Sequence, residues 1–120
     1  MEQMRVSVVQ GGSPGTSIVK LAGPLTLATL ADLDDALRQI GDADTIIDLF
    51  DVPYVDSAGL GTMIAHFSHT QRNGRGFALT GVSRRIRLLL ELTHVDTILP
   101  VYPLNEDAER AFAAGTPPRQ

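Results

Sequence analysis

Apolar residues recur at three- and four-residue steps at Leu30, Leu33, Leu37 and Ile40. Asp32, Asp34, Asp35, Arg38 and Gln39 fall between them. This spacing predicts a helix with one buried stripe. Its acids stand early and Arg38 late, as the helix dipole favours, and Gly41 stops it. A second helix carries Leu60, Met63, Ile64 and Phe67 on one face and ends at Asn73-Gly74. A third turns Ile86, Leu89 and Leu90 inward, is capped by Ser83, and projects Arg84, Arg85 and Arg87 elsewhere. A fourth runs through Ala108, Ala111 and Phe112, with Asn105 as its cap.

The remaining apolar runs read as strands. Residues 5–9 and 17–22 flank Gly11-Gly12-Ser13-Pro14-Gly15, a turn that makes them a hairpin. Gly23-Pro24 closes the second strand. Residues 45–52, β-branched or bulky at their apolar positions, form a buried strand. Residues 76–82 form another, and 98–102 a short last one limited by Pro100 and Pro103. The order β-β-α-β-α-β-α-β-α implies an α/β fold with parallel pairs and right-handed crossovers. A chain of 120 residues suits one domain, 1–120, with a core of about 5–113 and a frayed tail over 115–120.

One stretch carries candidate chemistry. Asp56-Ser57-Ala58-Gly59-Leu60-Gly61 lies where the strand 45–52 gives way to the second helix. A hydroxyl among small residues is open to a large partner. At a helix start, the N–H groups of Ala58, Gly59 and Leu60 are placed to stabilise an anion on it. Ser57 is therefore the candidate for a modified or reactive residue. A plainer role is also open, with Ser57 as an N-cap and the glycines as turn residues.

Composition narrows the classes. Hydrophobic residues make up 43%, enough for a core. The net charge of −4 argues against non-specific nucleic-acid binding. With no cysteine there is no disulfide or Cys-based metal site. No run approaches the ~18 apolar residues of a membrane helix, and residues 5–12 are too short and polar for a signal peptide. These features predict a cytoplasmic protein.

Enzymatic readings fare poorly. A serine hydrolase usually shows Gly-x-Ser-x-Gly, but Val55 stands at the first glycine position. His66 and His69 lack the His-Glu-x-x-His pattern and read as solvated helix residues. The 11–16 loop lacks the Gly-Lys-Ser/Thr ending of a phosphate loop, and Gly59-x-Gly61 lacks a third glycine. Asp48, Asp51 and Asp56 resemble a phospho-receiver pocket, yet no lysine follows the strand 76–82. Those acids are expected to cap turns or face solvent. No cofactor or metal is expected.

The order of elements and three blocks resemble the STAS domain family, more narrowly its bacterial anti-sigma-factor antagonists. The blocks are Gly23-Pro24-Leu25-Thr26-Leu27-Ala28-Thr29, then Asp48-Leu49 through Val52 to Tyr54-Val55-Asp56-Ser57-Ala58-Gly59-Leu60-Gly61, and Val95-Asp96 with Ile98-Leu99-Pro100-Val101-Tyr102. The resemblance implies a small, mixed, mostly parallel sheet with helices mainly on one face. It implies a switch and not an enzyme. The unphosphorylated antagonist binds an anti-sigma factor that is also a serine/threonine kinase, freeing the sigma factor. That kinase, holding ATP and Mg²⁺, phosphorylates the antagonist, and a PP2C-type phosphatase reverses this. The acceptor maps onto Ser57 and the preceding acid onto Asp56, within a partner-binding stretch of Asp56, Ser57, Ala58, Gly59, Leu60, Gly61 and Thr26. One departure stands out. The family often reads Gly-Glu-Leu-Asp where this chain reads Gly23-Pro24-Leu25-Thr26, so Thr26 replaces an acid that often lies near the acceptor. Some relatives are scaffolds or transporter regulators, so a non-switching STAS scaffold within a larger assembly is the alternative function.

Overall fold

A computed structural model describes residues 3–115. The expected fraying of the tail beyond Gly115 lies outside the described residues. Five strands and four helices follow one another as β1 (Arg5–Gln10), β2 (Thr16–Ala22), α1 (Leu30–Ile40), β3 (Asp44–Asp51), α2 (Ser57–Arg72), β4 (Phe77–Thr80), α3 (Arg84–Leu92), β5 (Val101–Tyr102) and α4 (Asn105–Ala113). The element order is the expected one.

The strands lie side by side in chain order, β1-β2-β3-β4-β5. β1 and β2 form the antiparallel hairpin, and every later neighbour is parallel. That order explains the layering. Each parallel strand is added at the same edge, so right-handed crossovers put α1, α2 and α3 on one face. Leu33 and Leu37 of α1, Met63 of α2, and Ile86 and Leu90 of α3 pack there on Val19, Leu21, Ile47, Leu49 and Leu79. α4 follows the last strand and crosses no sheet. It covers the other face with Ala108 and Phe112 against Ile18, Ile46 and Ala78.

Several boundaries differ from the sequence expectation, each for a local reason. β4 stops at Thr80 because Gly81 takes a positive φ of 66° and packs against the Phe50 backbone. β5 shrinks to two residues, since Ile98 and Leu99 donate to Val95 O in a turn and Pro100 has no N–H to offer. Asn105 does not cap α4. Its side chain accepts from Thr80 Oγ1 (2.5 Å) and donates to Asp48 Oδ2 (3.1 Å). The end of α4 is closed instead by Leu104 N–H donating to Asp107 (3.1 Å). Ser83 caps α3 as expected, accepting from Ile86 N (3.2 Å).

Candidate functional site

The parallel strands all point the same way, so the loops before α1, α2 and α3 share one end of the molecule. Ser57 stands there. The loop entering α2 is tied to the loop leaving β2 by backbone bonds. Leu25 N donates to Tyr54 O (3.1 Å), and Asp56 N donates to Leu25 O (3.0 Å).

Asp56 is the N-cap of α2, with an extended backbone at φ −97° and ψ −178°. Its Oδ1 accepts from Gly59 N (2.9 Å) and its Oδ2 from Leu27 N (3.0 Å). One carboxylate thus fastens the helix start to a loop 29 residues earlier. Those bonds, Gly59 first and Leu27 second, hold the Asp56 carboxyl below the usual carboxylate range. The capping role considered for Ser57 therefore belongs to Asp56. Ser57 is the first helical residue, exposed, and its hydroxyl makes no hydrogen bond among the described residues.

The rest of the stretch divides by burial. Gly59 N–H is taken by the Asp56 carboxylate and Leu60 N–H by Asp56 O (2.9 Å), so these two groups are not free to hold an anion on Ser57. Leu60 is 6% exposed and belongs to the core, not to a partner surface. Gly59 is buried, and a Cβ there would stand 2.7 Å from Leu25 O. Its smallness serves the packing of α2 on the β2–α1 loop. Gly61 is exposed with nothing within 4 Å of its Cβ position, so it leaves open surface. Ala58 and Thr26 are half-buried.

Thr26 has a clear local role. Its Oγ1 accepts from Ala28 N (3.2 Å), and its N–H donates to Thr29 Oγ1 (2.9 Å). Thr29 in turn donates to Pro24 O (2.7 Å). This turn presents Leu27 N–H to Asp56 and leaves the Leu27 side chain 74% exposed. The Leu27–Asp56 bond does not stand out in the sequence, because nothing local marks a contact 29 residues apart along the chain. Beside the same loop, the Arg85 guanidinium lies 4.9 Å above the Tyr54 ring.

The other candidates separate. Asp48 accepts from Phe50 N (3.0 Å) and from Asn105 (3.1 Å), and Asp51 is exposed, in keeping with acids that hold turns or face solvent. His66 is not solvated. It is buried, with Nε2 3.1 Å from Thr45 Oγ1, while His69 meets Asp42 (3.1 Å). Among the described residues no group of three or more His, Asp or Glu is placed to hold a metal, and no helix is long and apolar enough to cross a membrane.

Comparison with known proteins places this geometry. The chain is 34% identical over 94 residues to an anti-sigma-B factor antagonist of Staphylococcus aureus, covering 76% of this chain and 84% of the relative. Its fold is similar to the crystal structure of an anti-sigma factor antagonist from Mycobacterium paratuberculosis, at a TM-score of 0.81 and 25% identity over 92% of this chain and 94% of that one. It is also similar to the phosphorylated form of the Bacillus cell fate determinant SpoIIAA, at a TM-score of 0.63 and 16% identity over 89% and 99%. Residues 8–108 match the STAS domain, and with that extent and that identity the chain belongs to the STAS domain family.

Proposed function

We propose that this protein is an anti-sigma-factor antagonist that acts by binding, not by catalysis, and is switched by phosphorylation of Ser57. The observation that carries the reading is the exposed hydroxyl of Ser57 on the first turn of α2, without a hydrogen bond among the described residues and next to a carboxylate already committed to two backbone N–H groups. Unmodified, that end of the molecule offers an anti-sigma factor the open space at Gly61, the half-buried Ala58 and Thr26, and the exposed Leu27. The anti-sigma factor is also the kinase and brings the ATP and Mg²⁺; a PP2C-type phosphatase restores the hydroxyl.

Phosphorylation adds about −1.5 to −2 charges at neutral pH. With the Gly59 and Leu60 N–H groups occupied, the phosphate has less of the helix end to settle into and faces the partner. It stands beside Asp56 on a chain of net charge −4. Abolishing two favourable interactions of ~1.4 kcal/mol each weakens a complex about a hundredfold. A fold neighbour whose structure is known in a phosphorylated form supports the reading.

The test is to purify each anti-sigma factor of the source organism and mix it with this protein, with and without ATP and Mg²⁺. Binding without ATP, and phosphate on Ser57 by mass spectrometry with it, are expected. Binding that persists with no phosphate on Ser57 under any kinase would favour the scaffold role instead.

A further inference from the structure

The sheet edge stays open beside the first residue of β4, and a proline keeps it so. Thr45 N donates to Gly76 O (3.0 Å), which turns the Gly76 carbonyl toward β3. Backbone groups alternate sides along a strand, so the N–H and C=O of Phe77 point the other way, to the β5 side. There the ladder begins only at Leu79, whose N–H donates to Pro100 O (2.9 Å). To continue it backwards, the Phe77 carbonyl would need an N–H on Pro100, and proline has none. The Phe77 N–H would need the carbonyl of Ile98. That stretch has left the strand direction for a turn, in which Ile98 and Leu99 donate to Val95 O (3.0 and 2.9 Å). Phe77, only 4% exposed, thus keeps a main-chain donor and acceptor with no backbone partner among the described residues.

This opening leads into a cleft of about 930 Å³ between α2, α3 and α4, a size typical of small-molecule sites. Three of the chain's four Phe and one of its two Tyr line it, as Phe67, Phe77, Phe112 and Tyr102. Phe67 meets Phe77 edge to face, with ring centroids 5.5 Å apart. Phe112 of α4 lies over Gly76, where a Cβ would stand 2.5 Å from the ring. The rim is balanced in charge. Arg75 and Arg87 face Glu91 and Asp96, and none of the four makes an ion pair among the described residues. Asp44 is already held by Gly76 N (2.8 Å).

We propose that this cleft binds a small, uncharged, planar molecule that carries an N–H beside a C=O, the cyclic-amide edge of an oxo-heterocycle. The ligand N–H donates to Phe77 O, and its carbonyl accepts from Phe77 N. It takes the place of the strand partner that Pro100 cannot be, and its ring packs among the aromatic side chains. A peptide strand fits less well, because strand addition needs a run of open residues. Here one residue is open, between Leu79 and Arg75, whose N–H donates to Thr70 O (2.8 Å). The cleft stands at the N-terminal ends of β3 and β4, opposite the Ser57 end. The inference depends on no partner and no phosphorylation.

Isoquinolone is the probe, a flat fused bicycle with that edge, and N-methylisoquinolone is its counterpart without the N–H. Each is titrated into isotope-labelled protein and followed through the backbone amide resonances. Saturable shifts centred on Phe77 are expected with isoquinolone, together with slower solvent exchange of the Phe77 N–H. The N-methyl compound is expected to bind at least about tenfold more weakly, since it leaves the Phe77 carbonyl unpaired. An absence of saturable shifts at Phe77 up to a few millimolar probe overturns the inference, as does equal affinity for the two compounds.

Discussion

At the residue scale, Asp56 and Ser57 are neighbours with opposite roles. Asp56 commits both carboxylate oxygens to the protein itself, whereas the Ser57 hydroxyl bonds to none of the described residues. Replacing the carboxylate removes an N-cap and the anchor of the Leu27 turn. Asp56→Ala should cost about 0.5–2 kcal/mol in urea unfolding at neutral pH. Ser57→Ala should change stability by less than about 0.5 kcal/mol, since the hydroxyl is exposed and bonds to nothing described. The same substitution should leave no acceptor for the kinase, read as loss of phosphate by mass spectrometry. Acid separates the two residues further. The Asp56 carboxyl is lowered from 3.8 in the folded state, so near that pH the unfolded chain binds more protons and stability rises with pH. The Asp56 contribution is present above about 3.8 and is lost as pH falls through the lowered value. Solvent screening keeps it small at this half-exposed position. The stability gap between wild type and Asp56→Ala should therefore narrow below about pH 3.8, and a constant gap down to pH 2.5 would contradict this account.

At the element scale, the two glycines of α2 show how far sequence reading reaches. Both are small residues in the first turns of one helix, and from sequence their roles are interchangeable. Packing separates them. At Gly59 a Cβ would meet the Leu25 carbonyl, which is backbone and cannot step aside. Gly59→Ala should therefore destabilise by about 1–3 kcal/mol through overpacking. At Gly61 the Cβ position is open, so Gly61→Ala should stabilise by about 0.5–1 kcal/mol through helix propensity. Thermal melting of the pair should move in opposite directions. The helices themselves are legible because their apolar stripes obey the helical period, and Ser83 and Gly41 mark ends by local chemistry. What sequence hides is tertiary. Asn105 has the look of a cap but bridges Thr80 and Asp48 on two strands. His66 has the look of a solvated residue but faces Thr45, 21 residues away. Such contacts leave no periodic trace, since they depend on how elements pack and not on how each one forms.

At the scale of the whole molecule, the sheet order decides what a partner meets. Strands added at one edge, with crossovers of one hand, bring the starts of α1, α2 and α3 to the same end. Ser57, the Leu27 turn and the Arg85–Tyr54 stack share that end, while the core lies behind it. A charge placed on Ser57 should therefore burden the proposed interface more than the fold. Ser57→Asp should leave the melting temperature of the free domain nearly unchanged, because a carboxylate on the first turn of α2 is favoured by the helix dipole. Its affinity for the anti-sigma factor should fall, though by less than the roughly hundredfold proposed for phosphate, since one carboxylate carries about half the charge. Titration calorimetry against the anti-sigma factor, run beside melting of the free domain, reads the two effects separately. Unchanged affinity for both the aspartate variant and the authentic phosphoserine protein would remove the switch and leave the scaffold. A collapse in melting temperature with Ser57→Asp would mean that Ser57 is held by the fold after all. The proposed switch requires the opposite pairing, a stable domain that its partner no longer grips.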